Sequence, residues 1–286
     1  MLDGATAFAL PTKFGQFLKV ESGFKDIVYW KSFDFDQSCW FETQIAFDAI
    51  CDKKIVNKDQ NIKNTLVAIL QAAHRLNPNV LLNASGFDIT TTLTFPRNWG
   101  LGTSSTLINN IAQWFQIDAF ELLKNSFGGS GYDIACAQNN TPILYQLQKG
   151  SPTITQVSFC PSFTKYIYFV YSNQKQNSKT AIENYRKNNC KTPAALYKIA
   201  HLTNTIATAT NFKTFEKAIQ EHETEMSLLL NQPTVQQQLF ADFNGTIKSL
   251  GAWGGEFVMV ISTENPRNYF ELKGFNTVLS YAEMIL

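Results

Sequence analysis

The chain has 286 residues and nearly balanced charge, with 24 Lys and Arg against 23 Asp and Glu. This length suits about two domains, and the 44% of apolar residues excludes a disordered chain. The balanced charge argues against a nucleic-acid-binding protein, and no apolar run reaches the roughly 18 residues that span a bilayer. We therefore expect a globular cytoplasmic protein that binds neither nucleic acid nor membrane.

The patterns of apolar residues predict a mixture of strands and helices. The first 50 residues read as β-structure, and a short apolar helical segment follows residue 131. Strands are predicted at 26–33, 38–47, 142–148, 153–159, 166–171 and 257–261, and residues 80–95 form a further β-rich stretch. Helices are predicted at 58–76, from about 103 to 115, and over most of 178–243. The last of these has breaks near Thr192-Pro193, Asn211 and Gln232-Pro233. Because the strands do not alternate regularly with helices, we expect an α+β fold. The turn at 150–152 suggests a junction between domains 1–150 and 151–286.

The cysteines and histidines show no pattern of a metal or disulfide site. None of the five cysteines forms a C-x-x-C pair, and an odd number cannot fully pair. We expect buried free thiols in a reducing compartment. His74, His201 and His222 are far apart in sequence, which favours structural or surface roles over metal ligation.

A glycine-rich loop at 96–105 is the most informative segment for function. Gly100 and Gly102 allow close backbone approach to a ligand, and Thr103, Ser104 and Ser105 are good N-cap residues for the helix that follows. A helix N-terminus behind such a loop suits phosphate, and its hydroxyls suit the Mg²⁺ that accompanies ATP. The loop is neither a Walker A nor a Rossmann motif. Taken alone, such a loop is more often a structural turn than a phosphate site.

Two further glycine-rich loops follow. Asp133 comes after the loop at 128–131, where it is either a carboxylate favoured by the helix start or a group that takes the proton of a substrate hydroxyl. The loop at 251–255 precedes an apolar strand, and its simplest interpretation is a tight turn.

The order and spacing of the three loops resemble the motifs of the GHMP kinases, the superfamily of galactokinase, homoserine kinase, mevalonate kinase and phosphomevalonate kinase. P-x-x-x-G-L-G-S-S corresponds to residues 96–104, with Thr103 for the first serine. S-G-x-D corresponds to 130–133. K-x-x-G-A-G-G-G corresponds to 248–255, with Trp253 for one glycine. Gly-Tyr-Asp-Ile-Ala at 131–135 resembles the signature of a bacterial subgroup.

This resemblance implies a two-domain fold, with an N-terminal α+β domain, a C-terminal ferredoxin-like α/β sandwich and an active site in the cleft between them. It implies an ATP- and Mg²⁺-dependent kinase that phosphorylates a hydroxyl or phosphate oxygen of a small molecule, with mevalonate or phosphomevalonate the favoured acceptor. Asp133 is the implied catalytic carboxylate, and Ser104 and Glu121 are the implied metal ligands. The implied ATP-binding residues are Pro96, Gly100, Leu101, Gly102, Thr103, Ser104 and Ser105, and the implied acceptor-binding residues are Ser130, Gly131, Tyr132, Gly251, Ala252, Gly254 and Gly255.

The chain departs from the family pattern at two places. Mevalonate-kinase-like members carry an N-terminal Lys that pairs with the catalytic Asp, whereas residues 3–7 here resemble only the tail of that motif. We expect a short preceding segment to be missing from the chain as given; the alternative is that the Lys has been lost. Glu121 is one residue out of register with the family's metal-binding Glu, and a solvated helix carboxylate is an equal alternative.

Several functions stay open at this stage. Within the fold, the alternatives are diphosphomevalonate decarboxylase and a sugar or homoserine kinase. From another class, a non-catalytic relative would bind a ligand or partner without turnover. Lys13, Lys175 and Arg186 are candidate charges for an anionic acceptor, although solvated surface roles are the simpler interpretation. The many aromatic residues suit either a homodimer interface or a core.

Overall fold

The computed structural model describes residues 1–52, 61–174, 185–186, 192–251 and 255–286. They form two compact units. The first unit comprises Phe14–Arg97 and Leu101–Gln138, and the second comprises Met1–Lys13, Asn98–Gly100 and Asn139–Leu286.

The strands and helices of the described residues are numbered in chain order. The strands are β1 (Ala7–Ala9), β2 (Gln16–Ser22), β3 (Ile27–Phe33), β4 (Cys39–Ala46), β5 (Phe87–Leu93), β6 (Ile143–Gln148), β7 (Ser151–Gln156), β8 (Ile167–Tyr171), β9 (Thr246–Ser249), β10 (Phe257–Ile261) and β11 (Val278–Ser280). The helices are α1 (Phe47–Cys51), α2 (Ile62–Leu76), α3 (Asn79–Leu82), α4 (Thr103–Phe115), α5 (Ala119–Ser126), α6 (Tyr132–Ala137), α7 (Pro193–Thr208), α8 (Phe212–Leu230), α9 (Val235–Leu239), α10 (Arg267–Leu272) and α11 (Tyr281–Met284).

The first unit is a four-stranded sheet packed against helices. Its strand order is β2-β5-β3-β4, with β3 and β5 parallel and the other pairs antiparallel. Val28 and Trp30 of β3 are buried with the apolar faces of α2 and α4, because alternate residues of a strand face the same side. The buried Ser32 accepts hydrogen bonds from Trp30 Nε1 at 3.0 Å and Thr91 Oγ1 at 2.9 Å, so these three buried polar groups are satisfied.

The second unit contains two antiparallel sheets. One has the order β1-β6-β7, and the other has the order β11-β8-β10-β9. Numbered in chain order within the second sheet alone, that order is 4-1-3-2, with helices α7, α8 and α9 between the first two strands and α10 before the last. This is the connectivity of a ferredoxin-like fold, as predicted. Its core contains Val170, Val258, Val260 and Phe270.

The compact units are divided differently from the expected domains 1–150 and 151–286. Strands β6 and β7 pair residue by residue across the turn at Lys149 and Gly150, from Ile143 opposite Gln156 to Gln148 opposite Ser151. Both sides of position 150 therefore lie in one sheet of the second unit. The turn residues mark a hairpin there, because left-handed φ angles at 149 and 150 suit a tight reversal.

Most predicted helices and strands are confirmed, but two segments and the expected burial of the cysteines are corrected. Residues 80–82 lie in helix α3 rather than in a strand, because Leu81 is buried by a helical turn that starts at Pro78. Residues 47–51 form the short helix α1 and not the end of a strand. Of the four described cysteines, which are all free, Cys39, Cys51 and Cys160 are exposed rather than buried. Predicted helical residues 58–60, 178–184 and 187–191 lie outside the described residues. Of the helices the structure describes, none is long and apolar enough to cross a membrane.

Candidate active site

The first glycine-rich loop ends at the start of helix α4. Gly102 is the N-cap in the left-handed conformation, with φ +73°, and its carbonyl accepts the N–H groups of Ser105 and Thr106, each at 3.0 Å. This corrects the expectation that Thr103, Ser104 or Ser105 caps the helix. As a glycine, Gly102 has no side chain that could cap the helix. The helix start therefore keeps N–H donors that a bound anion can accept, together with the positive end of the helix dipole.

Helix α4 is held firmly within the first unit. Ile108, Ile111 and Phe115 are fully buried on its apolar side. At its N-terminal end, Thr106 Oγ1 donates to Gln16 Oε1 at 2.8 Å, and further along Asn110 Nδ2 donates to Gln16 O at 2.8 Å. Packing and hydrogen bonds therefore hold the residues at the start of α4 in place, as a preorganised anion site requires.

Asp133 lies against this loop. It occupies the first turn of α6, which begins after Gly131 in the left-handed conformation with φ +75°. A Cβ built on Gly102 would lie 3.7 Å from Cβ and 3.8 Å from Cγ of Asp133. The first unit by itself therefore brings together the helix start and the carboxylate that the sequence singled out as catalytic.

The electrostatic setting of Asp133 suits a proton acceptor. Its side chain is accessible to solvent, yet desolvation by the surrounding protein raises the pKa of its carboxyl group. Among the described residues no cation makes an ion pair with it. Its neighbours are neutral, because burial raises the pKa of Tyr132 well above its usual range and that of Cys136 to about 12. Cys136 is therefore a protonated thiol that hydrogen-bonds Tyr132 and not a nucleophile.

The second unit contributes the other end of the first loop. Gly100 has φ +64°, and a side chain there would overlap the carboxylate of Glu256. Glu256 directly follows the third glycine-rich loop, so parts of the first and third loops meet in this unit. Glu256 is not among the predicted site residues. The available signal was its position directly after Gly255 in the third motif.

Aromatic packing fixes this contact. Tyr171 Oη donates to Asn98 O at 3.0 Å, and the Trp99 ring lies 5.4 Å from that of Phe257, edge to face. On the other side, the Ser172 hydroxyl donates to Gly255 O at 3.1 Å, and the Ser172 N–H donates to Glu256 O at 2.7 Å. Residues 98–100 and 255–256 are thereby tied to the ends of β8 and β10.

Of the other residues predicted to bind the acceptor, some are described and some are not. Ser130 Oγ accepts the Tyr132 N–H at 3.3 Å. Gly251 has φ +60° with open space around its Cβ position, whereas a Cβ on Gly255 would lie 2.8 Å from Leu250 O. Ala252 and Gly254, like Trp253, lie outside the described residues.

Other predicted residues lie away from these contacts or only border them. Pro96 is half-buried before a 3₁₀ turn, and Leu101 is half-buried after it. Lys13 Nζ donates to Ala282 O at 2.6 Å, and Arg186 is exposed. Lys175 is not among the described residues.

Glu121 stands in the first turn of α5, and its position has a local explanation. It is exposed, and its N–H donates at 2.9 Å to Asp118, the N-cap of that helix. A carboxylate is favoured at this position by the helix dipole. No group of three His, Cys, Asp or Glu side chains in the described part of the chain is arranged to hold a metal ion. The role of Glu121 as a metal ligand stays a prediction.

A buried polar network precedes the third loop. Glu223 of α8 is only 4% exposed and accepts the Ser249 N–H at 3.0 Å and the Ser249 hydroxyl at 2.7 Å. Lys248 Nζ lies 3.3 Å from Glu223 Oε2 and 3.1 Å from His222 Nδ1. Desolvation lowers the pKa of Lys248 and, with the nearby Lys248 charge, lowers that of His222 to about 3. This network fixes the end of β9, from which the third loop starts.

No protein-family model matches the chain, and no curated protein sequence is significantly similar to it. Solved structures do match. The Lin0012 protein of Listeria innocua has a TM-score of 0.69 at 14% identity, over 96% of this chain and 90% of that one. Mevalonate kinase of Methanococcus jannaschii has a TM-score of 0.68 at 14% identity, over 97% and 91% of the two chains.

A D-glycero-D-manno-heptose 1-phosphate kinase from Bacteroides thetaiotaomicron has a TM-score of 0.63 at 14% identity, over 99% of this chain and 88% of that one. At such low identity these likenesses concern the fold. They cover nearly the whole of each chain, and they agree with the mixed sheet and helix architecture described above. The chain therefore has the fold of the GHMP kinases.

Proposed function

We propose that this chain is an ATP-dependent kinase that transfers the γ-phosphoryl group to an oxygen of a small-molecule acceptor. The observation that carries the proposal is the position of Asp133 next to Gly102, which sets a carboxylate of raised pKa beside the N-terminus of a firmly packed helix. Phosphoryl transfer needs little more than a phosphate site and a group that handles the acceptor proton. The fold of the neighbouring kinases supports the same activity.

In the proposed reaction, the N–H groups at the start of α4 and the backbone of 100–105 bind the ATP phosphates. Asp133, in its ionised form, accepts the proton of the acceptor hydroxyl. The freed oxygen forms a bond to the γ-phosphorus while the bond from that phosphorus to the β,γ-bridging oxygen breaks, and ADP leaves with the electron pair. With a phosphate acceptor, whose oxygen is already deprotonated, transfer of a proton to Asp133 is not required.

Hard oxygen donors at this place also fit a magnesium ion. Mg²⁺ held by the Ser104 hydroxyl would neutralise charge on the β- and γ-phosphates. Glu121 begins α5, after the opposite end of the 13-residue helix α4, so it is not proposed as a ligand of the same ion. Ser104 is exposed in the first turn of α4, beside the expected phosphate position.

The proposed acceptor is mevalonate or phosphomevalonate. The third motif, Gly-Ala-Trp-Gly-Gly-Glu-Phe, resembles the phosphomevalonate kinase version, and one structural neighbour is a mevalonate kinase. A phosphorylated sugar is the second candidate, because another neighbour is a heptose 1-phosphate kinase.

The first test is the shift in thermal unfolding caused by Mg-ATP. A ligand that binds only the folded chain at about 100 times its Kd adds roughly 2.7 kcal/mol to the unfolding free energy. We expect this shift in the wild type and in Ser158→Ala, an exposed serine in a loop of the second unit, and a smaller shift in Ser104→Ala. No shift in the wild type would contradict nucleotide binding.

The acceptor is then identified by ADP release with mevalonate, phosphomevalonate, homoserine and a panel of sugars and sugar phosphates. Release of carbon dioxide from diphosphomevalonate would instead identify the decarboxylase. ATP binding without turnover on any acceptor would favour the non-catalytic relative.

A further inference from the structure

The two ends of the third glycine-rich loop lie against each other. The described ends are residues 249–251 and 255–256, all within the second unit. Gly255 is buried, and a Cβ built on it would lie 2.8 Å from Leu250 O, closer than a real Cβ approaches another atom. The main chain that enters the loop therefore contacts the main chain that leaves it, and this approach requires a glycine. We call the contact of Leu250 with Gly255 the loop neck.

Buried hydrogen bonds hold the residues on both sides of the loop neck. On the entering side, Glu223 accepts the N–H and the hydroxyl of Ser249. On the leaving side, the Ser172 hydroxyl donates to Gly255 O at 3.1 Å, and the Ser172 N–H donates to Glu256 O at 2.7 Å. Ser172 is only 9% exposed, so these bonds form where water has little access.

The two hydrogen bonds of Ser172 have different origins. The N–H bond continues the antiparallel pairing of β8 with β10, and any residue other than proline at position 172 could supply it. The hydroxyl bond depends on the side chain, and its acceptor is the carbonyl at the loop neck. A loop whose ends are already fixed loses less conformational freedom when a ligand binds to it. The hydroxyl of Ser172 is therefore placed to lower the cost of binding at this loop.

We propose that Ser172 is a positioning residue that fixes the loop neck for binding of the phosphoryl acceptor. This inference rests on the proposed function, including the predicted role of Gly251 and Gly255 in acceptor binding. Ser172 itself acts through the backbone of Gly255 and contacts no substrate. Its contribution concerns the affinity for the acceptor and not the chemical step.

The test is steady-state kinetics of Ser172→Ala with mevalonate, or with the acceptor of the panel above that gives the fastest ADP release. We expect the KM of the acceptor to rise about fivefold, the effect of one ordinary hydrogen bond. The kcat and the KM of ATP should keep their wild-type values. Hydrogen–deuterium exchange of the peptide 249–257 should be faster than in the wild type. Ser172→Thr keeps a hydroxyl on the same carbon and should restore both quantities.

Ser262→Ala is the matched control. Ser262 is 7% exposed and directly follows β10, where its N–H donates to Tyr166 O at 2.9 Å and its hydroxyl accepts the Glu264 N–H at 3.3 Å. The substitution removes a buried serine hydroxyl from the opposite end of the same pair of strands. The acceptor KM and the exchange of peptide 249–257 should therefore match those of the wild type.

The outcomes distinguish the inference from the function on which it rests. If the wild type phosphorylates an acceptor, an unchanged acceptor KM or unchanged exchange in Ser172→Ala would overturn the role of Ser172 and leave the kinase proposal in place. An equal rise of the acceptor KM in Ser262→Ala would also overturn it, because the cause would then be a general loosening of the sheet. No turnover by the wild type with any acceptor would overturn both proposals. A rise of the acceptor KM in Ser172→Ala alone, reversed in Ser172→Thr, supports the inference.

Discussion

Asp133 and Glu223 are both carboxylates within the protein, and their surroundings differ in kind. Glu223 accepts two hydrogen bonds from Ser249 and faces Lys248, so its charge is fully compensated within the second unit. Asp133 in the first unit is desolvated, yet among the described residues it has no cation as an ion-pair partner. Compensation of this kind marks a structural carboxylate, whereas a desolvated carboxylate beside an open helix start is typical of a chemical role.

This comparison leads to opposite expectations for removal of the two charges. Loss of the Glu223 charge leaves a buried ammonium group behind, which destabilises the fold. Removal of the Asp133 charge removes a desolvated charge from the folded chain, so activity should fall while stability does not.

The largest effect is expected for Asp133→Asn. An amide cannot accept the acceptor proton, so kcat for ADP release with a hydroxyl acceptor should fall by about 10² to 10⁴. Binding of Mg-ATP should persist, because the donors at the start of α4 are unchanged. Steady-state kinetics and calorimetry on the same preparation measure both quantities.

The stability of Asp133→Asn provides the control. The pKa of Asp133 is higher in the folded chain than the usual 3.8, so the folded state binds its proton more tightly than the unfolded state does. Above the folded pKa, ionisation therefore disfavours folding, and the variant should unfold at higher urea concentration at pH 7. Asp118→Asn keeps a good N-cap on α5 and should leave kcat unchanged. Full turnover in Asp133→Asn would remove Asp133 from the mechanism.

Glu223→Gln should give the next largest effect, on stability. Removal of one partner of a buried ion pair destabilises proteins by about 3–5 kcal/mol, measured here by urea unfolding. Glu225→Gln is the matched control two residues along α8, where the pair with Lys198 is partly exposed and should matter by less than about 1 kcal/mol.

The double variant Glu223→Gln/Lys248→Met tests the cause. If the penalty comes from an uncompensated ammonium group, the second substitution should recover part of it, and the two effects will not add. Equal losses in Glu223→Gln and Glu225→Gln would show that burial of this pair is irrelevant to stability.

Local patterns in the sequence predicted the parts of the fold that depend on local physics. The spacing of Leu107, Ile108, Ile111, Trp114 and Phe115 predicted helix α4, and the apolar run at 257–261 predicted strand β10. The turn at 150 was interpreted as a domain junction, and the structure has a hairpin there, because a hairpin turn and an interdomain linker have similar compositions.

The candidate site was only partly accessible from the sequence. The motifs selected Gly102 and Asp133, which the fold brings together. They did not reveal that Gly102 itself caps α4, because its left-handed φ follows from the path of the chain. The contact between Gly100 and Glu256 joins residues 156 positions apart in the numbering, so no local pattern reports it. The Glu223 network likewise depends on the packing of α8 against β9.

The smallest effect is expected in the pH dependence of stability and concerns His222 in that network. Desolvation, together with the Lys248 charge, lowers its pKa from 6.5 in the unfolded chain to about 3. Between these values the unfolded state binds the additional proton, so the free energy of unfolding falls as pH decreases below about 6.5. The contribution approaches about 1.4 kcal/mol per pH unit at most.

In His222→Gln, the free energy of unfolding measured with urea should depend less on pH between 6.5 and 4.5. His201→Gln, at an exposed position of α7, should keep the wild-type slope. Identical slopes in all three proteins would show that His222 charges as freely in the folded chain as in the unfolded one, and that the compensated network admits a second positive charge.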